Sequence, residues 1–158
     1  NTNEELINQI KKDLNQLLQI KQRKEKKLNS AIEELTKQGL SLLEKERNLQ
    51  QHRYQLQKDW QLSNHERRIL NQADFILQKN KLNKYYQDDM SLSEKIQKTK
   101  EAYSLVQQQQ VEKKKLRKQI MRDQEKFQFL IEEYDAYKKN DTLFRNFPAE
   151  KNNAFYKF

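Results

Sequence analysis

The chain has 158 residues, with 32 Lys and Arg against 23 Asp and Glu (net charge +9), one Gly, one Pro and no Cys. Hydrophobic residues make up 34%, below the roughly 45–50% of a compact globular domain, and the Gly and Pro that sheet-rich folds use in turns are missing. The absence of Cys excludes disulfides, thiolate metal sites and thiol nucleophiles, and no apolar run approaches the roughly 18 residues that span a bilayer.

Abundant Leu, Lys, Gln and Glu favour helix, so the expected class is all-α, built of long extended coiled-coil helices. No signal-peptide core opens the chain, and a start at Asn1 rather than Met reads as a segment or a trimmed chain. Positions 7, 14, 21, 28, 35, 42, 49, 56, 63, 70 and 77 carry Ile7, Leu14, Lys21, Leu28, Leu35, Leu42, Leu49, Leu56, Ser63, Leu70 and Leu77. Nine of the eleven are Ile or Leu at a strict spacing of seven. A straight helix drifts about 20° per heptad, so such a column keeps facing one partner only if helices supercoil. The unbroken phase predicts one helix from residue 3 to about 87, making 1–87 the first unit. Ser63-Asn-His-Glu66 resembles a capping box, but Leu70 and Leu77 stay in phase beyond it, and Gly39 alone does not end the pattern.

Three residues after each member of the column stand Ile10, Leu17, Lys24, Ala31, Gln38, Lys45, His52, Asp59, Glu66, Ala73 and Asn80. Read as the companion of the seam, this set is mostly polar. Polar seam residues weaken pairing while fixing register and partner choice, and a parallel homodimer would oppose Lys24 and Lys45 to themselves. A heteromeric coiled-coil partner fits better.

The phase changes at Asp88-Asp89-Met90-Ser91, so residues 88–91 are expected to form a hinge or turn, with Ser91-Leu-Ser-Glu94 capping a second coiled-coil helix over 92–140. Without Gly or Pro there, a hinge in a nearly continuous rod is favoured over a hairpin. The second seam reads Leu92, Ile96, Thr99, Tyr103, Val106, then polar Gln110, Lys113 and Arg117, then Ile120, Phe127, Ile131 and Tyr134. Lys138 and Lys139 suit the last turn of a helix ending near Asn140. The remainder, 141–158, is an irregular tail with Phe144, Phe147, Phe155, Tyr156 and Phe158. Disordered tails are poor in aromatics, so this one is expected to dock, on another chain or on its own helix end.

No enzymatic constellation is present: no phosphate-binding glycine loop, two histidines thirteen residues apart, and acidic pairs without a walled cleft. The expectation is a protein that is not an enzyme and takes no cofactor or metal. The basic runs 21–27 and 113–118 spread round a helix rather than forming one stripe. They read mainly as solvated faces, then as contacts with an acidic protein surface such as tubulin. Nucleic acid comes last, since no basic region with an Asn-x-x-Ala-Ala core precedes the leucine column. Trp60 reads as an interface anchor just off the seam.

Leu42-Leu43-Glu44-Lys45-Glu46-Arg47, Leu82-Asn-Lys-Tyr85, Lys95 and Tyr134-Asp-Ala-Tyr137 resemble, over roughly residues 42–140, the coiled-coil proteins of motile cilia that tether inner dynein arms to the doublet microtubule. Asp88 and Asp89 depart from that pattern, where the family tends to be aromatic or aliphatic. The resemblance implies a non-enzymatic tether, ruler or docking factor in the cytoskeleton of the ciliary axoneme; the lack of a long apolar run separately argues for no membrane partner. The alternatives are a basic extended adaptor of a ribonucleoprotein such as a mitochondrial ribosome, and an intraflagellar-transport or trafficking coiled coil.

Overall fold

The computed structural model describes residues 2–63 and 71–139. Two helices account for nearly all of them: α1, Thr2–Ser63, and α2, Gln72–Lys139. They pack against each other as a helical hairpin. The all-α expectation holds, and no strand occurs among the described residues. None of the described helices is long and apolar enough to cross a membrane.

The expected boundaries do not hold. Residues 88–91 lie inside α2, which runs without interruption from 72 to 139, and α1 stops at Ser63 rather than near 87. The physical reason is visible in α2. Its inward positions include Gln78, Leu82, Tyr85 and Asp89 ahead of Leu92, Ile96 and Thr99, so the alternation of fours and threes passes straight through the supposed break. Asp89, which looked like a terminator, is a seam residue with a partner. The start of α2 is marked instead by Asn71, whose side-chain Oδ1 accepts the backbone N–H of Asp74 at 2.8 Å and whose carbonyl accepts that of Phe75 at 2.9 Å. Asn71 thus satisfies amides that a helix start leaves orphaned, and Asp74 in the first turn complements the positive end of the helix dipole. At the other end Lys138 and Lys139 occupy the last turn, as the sequence predicts. Asn140 and the aromatic tail, with Phe144, Phe147, Phe155, Tyr156 and Phe158, lie outside the described residues, as do His65 and Leu70.

The chain divides into two units. In the first, residues 2–33 of α1 pack on 111–139 of α2; in the second, residues 34–63 pack on 72–110. The first buries Leu14, Ile32, Ile131 and Tyr137, and the second Leu35, Leu92, Ile96, Thr99 and Val106. Thr99 is the buried polar residue, and its hydroxyl donates to the Lys95 carbonyl one turn earlier at 2.7 Å, so the group is not left unsatisfied.

Gly39 sits at an inward position of the second unit. A Cβ built there would stand 3.7 Å from side-chain atoms of Gln107 and Tyr103 and 3.8 Å from Val106, which is ordinary van der Waals contact. Helical backbone with room for a methyl group loses nothing sterically on Gly→Ala and gains helix propensity. Gly39→Ala is expected to stabilise the hairpin by about 0.5–1 kcal/mol, read as a higher midpoint in urea or thermal unfolding.

Candidate functional site: the interhelical seam

The leucine column faces the second helix of its own chain. Leu14 and Leu35 are buried, and Ile7, Leu28, Leu42, Leu49 and Leu56 are half-buried. Across from them Ile96, Val106 and Ile131 are buried, and Tyr103, Ile120, Phe127 and Tyr134 half-buried. The sequence expects a partner helix on these residues; in the structure they pack within the chain instead. Ser63 and Leu77 leave the column, Leu77 being 57% exposed. Leu77 keeps the seven-residue count of the column, yet it lies on α2 and not on α1.

The companion seam is also corrected. The residues three after each column member are mostly exposed, Leu17, Lys24, Gln38, Lys45, His52 and Asp59 among them. The inward companions stand four after it: Lys11, Leu18, Glu25, Ile32, Gly39, Glu46, Arg53 and Trp60, each buried or half-buried. A heptad offers both spacings, and only the position of the opposing helix decides between them.

These companions include charges, and each has a counterpart in the same unit. In the first unit Lys11 pairs with Asp135, Gln124 Nε2 donates to Glu25 Oε2 at 2.8 Å, and Lys21 Nζ lies 3.0 Å from Asp123 Oδ2. Arg117 Nη1 donates to Asn29 Oδ1 at 3.1 Å, and Lys138 Nζ to Asn8 Oδ1 at 3.2 Å. In the second unit Arg53 Nε and Nη2 donate to the two Asp89 oxygens at 2.8 and 3.2 Å. Gln110 Nε2 donates to the Thr36 hydroxyl at 2.7 Å. Lys100 Nζ and Glu46 Oε1 stand 3.9 Å apart, and the Trp60 and Tyr85 rings stack with centroids 4.9 Å apart. In both units rising numbers in α1 meet falling numbers in α2, so each pairing is antiparallel. These pairs fix the register. A shift of one heptad would set Arg53 and Lys11 against other neighbours, leaving half-buried charges unpaired. Trp60, expected just off the seam, stands on it as an anchor toward α2.

The electrostatics follow this geometry. The hydrogen bond from Arg53 holds the Asp89 carboxyl below the usual carboxylate range against the opposing cost of desolvation, and the same bond raises Arg53. Lys21 lowers Asp123 in the same way. In the first unit Tyr137 is 8% exposed, and burial, with Glu133 adding to it, pushes its phenol up to about 12. A folded value above the unfolded one means that folding favours the neutral phenol. Stability from this group is therefore present below about pH 10 and lost as pH rises through about 12. Tyr137→Phe is expected to flatten the alkaline limb of the unfolding curve. The difference in 295 nm absorbance titration between the two proteins should show one phenol ionising near the top of the range.

Beside the Trp60–Tyr85 stack, Leu56, Asp59, Lys81, Lys84 and Asp88 rim a solvent-open hollow of about 250 Å³. Among the described residues no three His, Asp or Glu are placed to hold a metal ion. Sequence reasoning missed Arg53, Asp89, Tyr85 and Asn71 as organising residues; Asn71-Gln-Ala-Asp74 was the legible signal, a cap with an acid three residues on. Compared with protein-family models, with curated proteins and with solved structures, the chain finds no match in any of the three.

Proposed function

We propose that the chain is a non-enzymatic structural subunit of a large cytoskeletal assembly, a helical tether, ruler or docking factor, with the ciliary axoneme as its setting. The observation that carries the reading is how the hairpin uses its side chains. The seam apolar residues and seam charges are taken up between α1 and α2, yet α1 keeps a second apolar flank. Leu6, Leu17 and Ile20 share one side of the helix beside the seam and are 60, 42 and 43% exposed. Residues at these spacings line one face, the pattern by which a helix meets a further helix. The partner is therefore a helix of another coiled-coil protein, heteromeric in kind, packed on this flank rather than in the leucine column. The axonemal setting rests on the resemblance over residues 42–140.

Cross-linking mass spectrometry on detergent-extracted axonemes tests both halves. Expected are links from residues 2–24 to helical segments of another axonemal protein, and their loss in L6E/L17E/I20E with circular dichroism unchanged. Recovery of the chain with ribosomal particles or transport vesicles instead of axonemes would sink the ciliary setting. Intact cross-links in the triple variant would sink the flank.

A further inference from the structure

The antiparallel register brings together two basic runs that lie some ninety residues apart in sequence. Residues 21–27 hold five Lys and Arg and one acid, and residues 112–123 hold six and two. The contacts Lys21 with Asp123, Glu25 with Gln124 and Asn29 with Arg117 place both runs at one level of the first unit. Eleven cations against three acids leave a surplus of eight, nearly all of the chain's +9. Every other residue together contributes a net charge of one. Three of the eleven, Lys21, Lys113 and Arg117, are half-buried toward the seam, and the other eight are exposed. None of the eight is in an ion pair among the described residues.

We propose that this collar is the binding site for an acidic, unstructured polypeptide segment, a run of Glu or Asp in another protein. It goes beyond the helical docking proposed above and depends on neither that flank nor the axonemal setting. Three features choose this ligand. The exposed cations follow one another round the helix, as 100° per residue dictates, so they face several directions at one level. A rigid duplex touches such a collar on one side only, whereas a flexible acidic chain wraps it. Neither run contains an aromatic residue, and single-stranded nucleic acid binding leans on stacking platforms. Helices in contact lie about 8–10 Å apart, near the Debye length of about 8 Å at physiological salt. The two runs therefore act as one field, which an isolated helix with either run alone would lack.

The test uses the full chain and a fluorescein-labelled peptide of twenty glutamates. Anisotropy should show saturable binding that weakens at least tenfold between 50 and 200 mM salt, as expected when several ion contacts form. K24E/K26E/K114E/K118E should weaken it at least tenfold. K79E/K81E/K84E/K95E, with the same net charge but reversals in the second unit, should change it less than about threefold. Equal losses would mean net charge rather than place, and would overturn the proposal. So would tighter binding to a twenty-nucleotide oligouridylate or to phosphatidylserine vesicles than to the peptide. Should the collar variant fail to fold, zero-length carbodiimide cross-linking of the unmodified chain still decides: adducts confined to Lys21–Lys27 and Lys113–Lys118 support the collar, and adducts spread over all lysines overturn it.

Discussion

Leu35→Asp is expected to collapse the hairpin's stability while Leu77→Asp leaves it unchanged, although the two leucines belong to one seven-residue column. Leu35 is 7% exposed and Leu77 57%. Replacing the buried one forfeits about 1.5–3 kcal/mol of apolar burial and places a carboxylate where desolvation costs several kcal/mol more unless it protonates. A loss of at least about 3 kcal/mol follows, enough to lower the melting temperature by roughly 10 °C in a chain of this size. At Leu77 the new acid stands in water, and the change stays within about 0.5 kcal/mol. Thermal unfolding followed at 222 nm separates the two. Equal destabilisation would mean that the column does continue through residue 77 and that the hairpin register is wrong.

The second large effect concerns register. Arg53→Asp or Asp89→Arg alone puts like charges across the seam of the second unit and should cost about 2 kcal/mol; the double swap R53D/D89R should recover most of it. Both side chains keep partial contact with solvent, which holds the cost to that size. R53L/D89L should exceed either single leucine variant in stability, since an apolar pair avoids burying an uncompensated charge. The sign with pH follows from the Arg53 hydrogen bond that holds Asp89 below the ordinary carboxylate value. That stabilisation is complete above the unfolded aspartate value of about 3.9 and is lost as pH falls through the lower folded value. Acid unfolding of the unmodified chain should therefore carry a component that D89L lacks. A double-mutant cycle in urea with no coupling between 53 and 89 would show that the pair does not set the register.

Much of the helix content was legible in the chain. Leu14, Leu28, Leu35, Leu42, Leu49 and Leu56 were identified from spacing alone and do face inward, and so do Ile96, Val106, Ile131 and Tyr134. The break expected at 88–91 falls inside α2 because phase is a local count, and Leu77 falls on that count by arithmetic while standing outside the packing. Residues 88–91 read as a break because the apolar series after them is out of register with the first column. Arg53, thirty-six residues earlier, with Gln57 beside it, makes Asp89 acceptable on the seam. The companion spacing of three seemed natural because Ile10 and Leu17 open that series, yet Ile32, Arg53 and Trp60 carry the pairing on the spacing of four.

The same distinction holds for the composition. Few apolar residues, one Gly, one Pro and a strict heptad were sufficient to determine long helices, because helix formation rests on local propensity and on a periodicity that each segment carries within itself. What the helices pack against, where the chain reverses and how its charge is distributed were decided only by tertiary structure. Those features depend on meetings such as Lys11 with Asp135, Arg53 with Asp89 and Lys21 with Asp123. Each lies far apart in sequence and comes together only once one antiparallel register is chosen. The net charge of +9 is the clearest case: spread round two separate helices it points nowhere, and the hairpin register draws nearly all of it to one level.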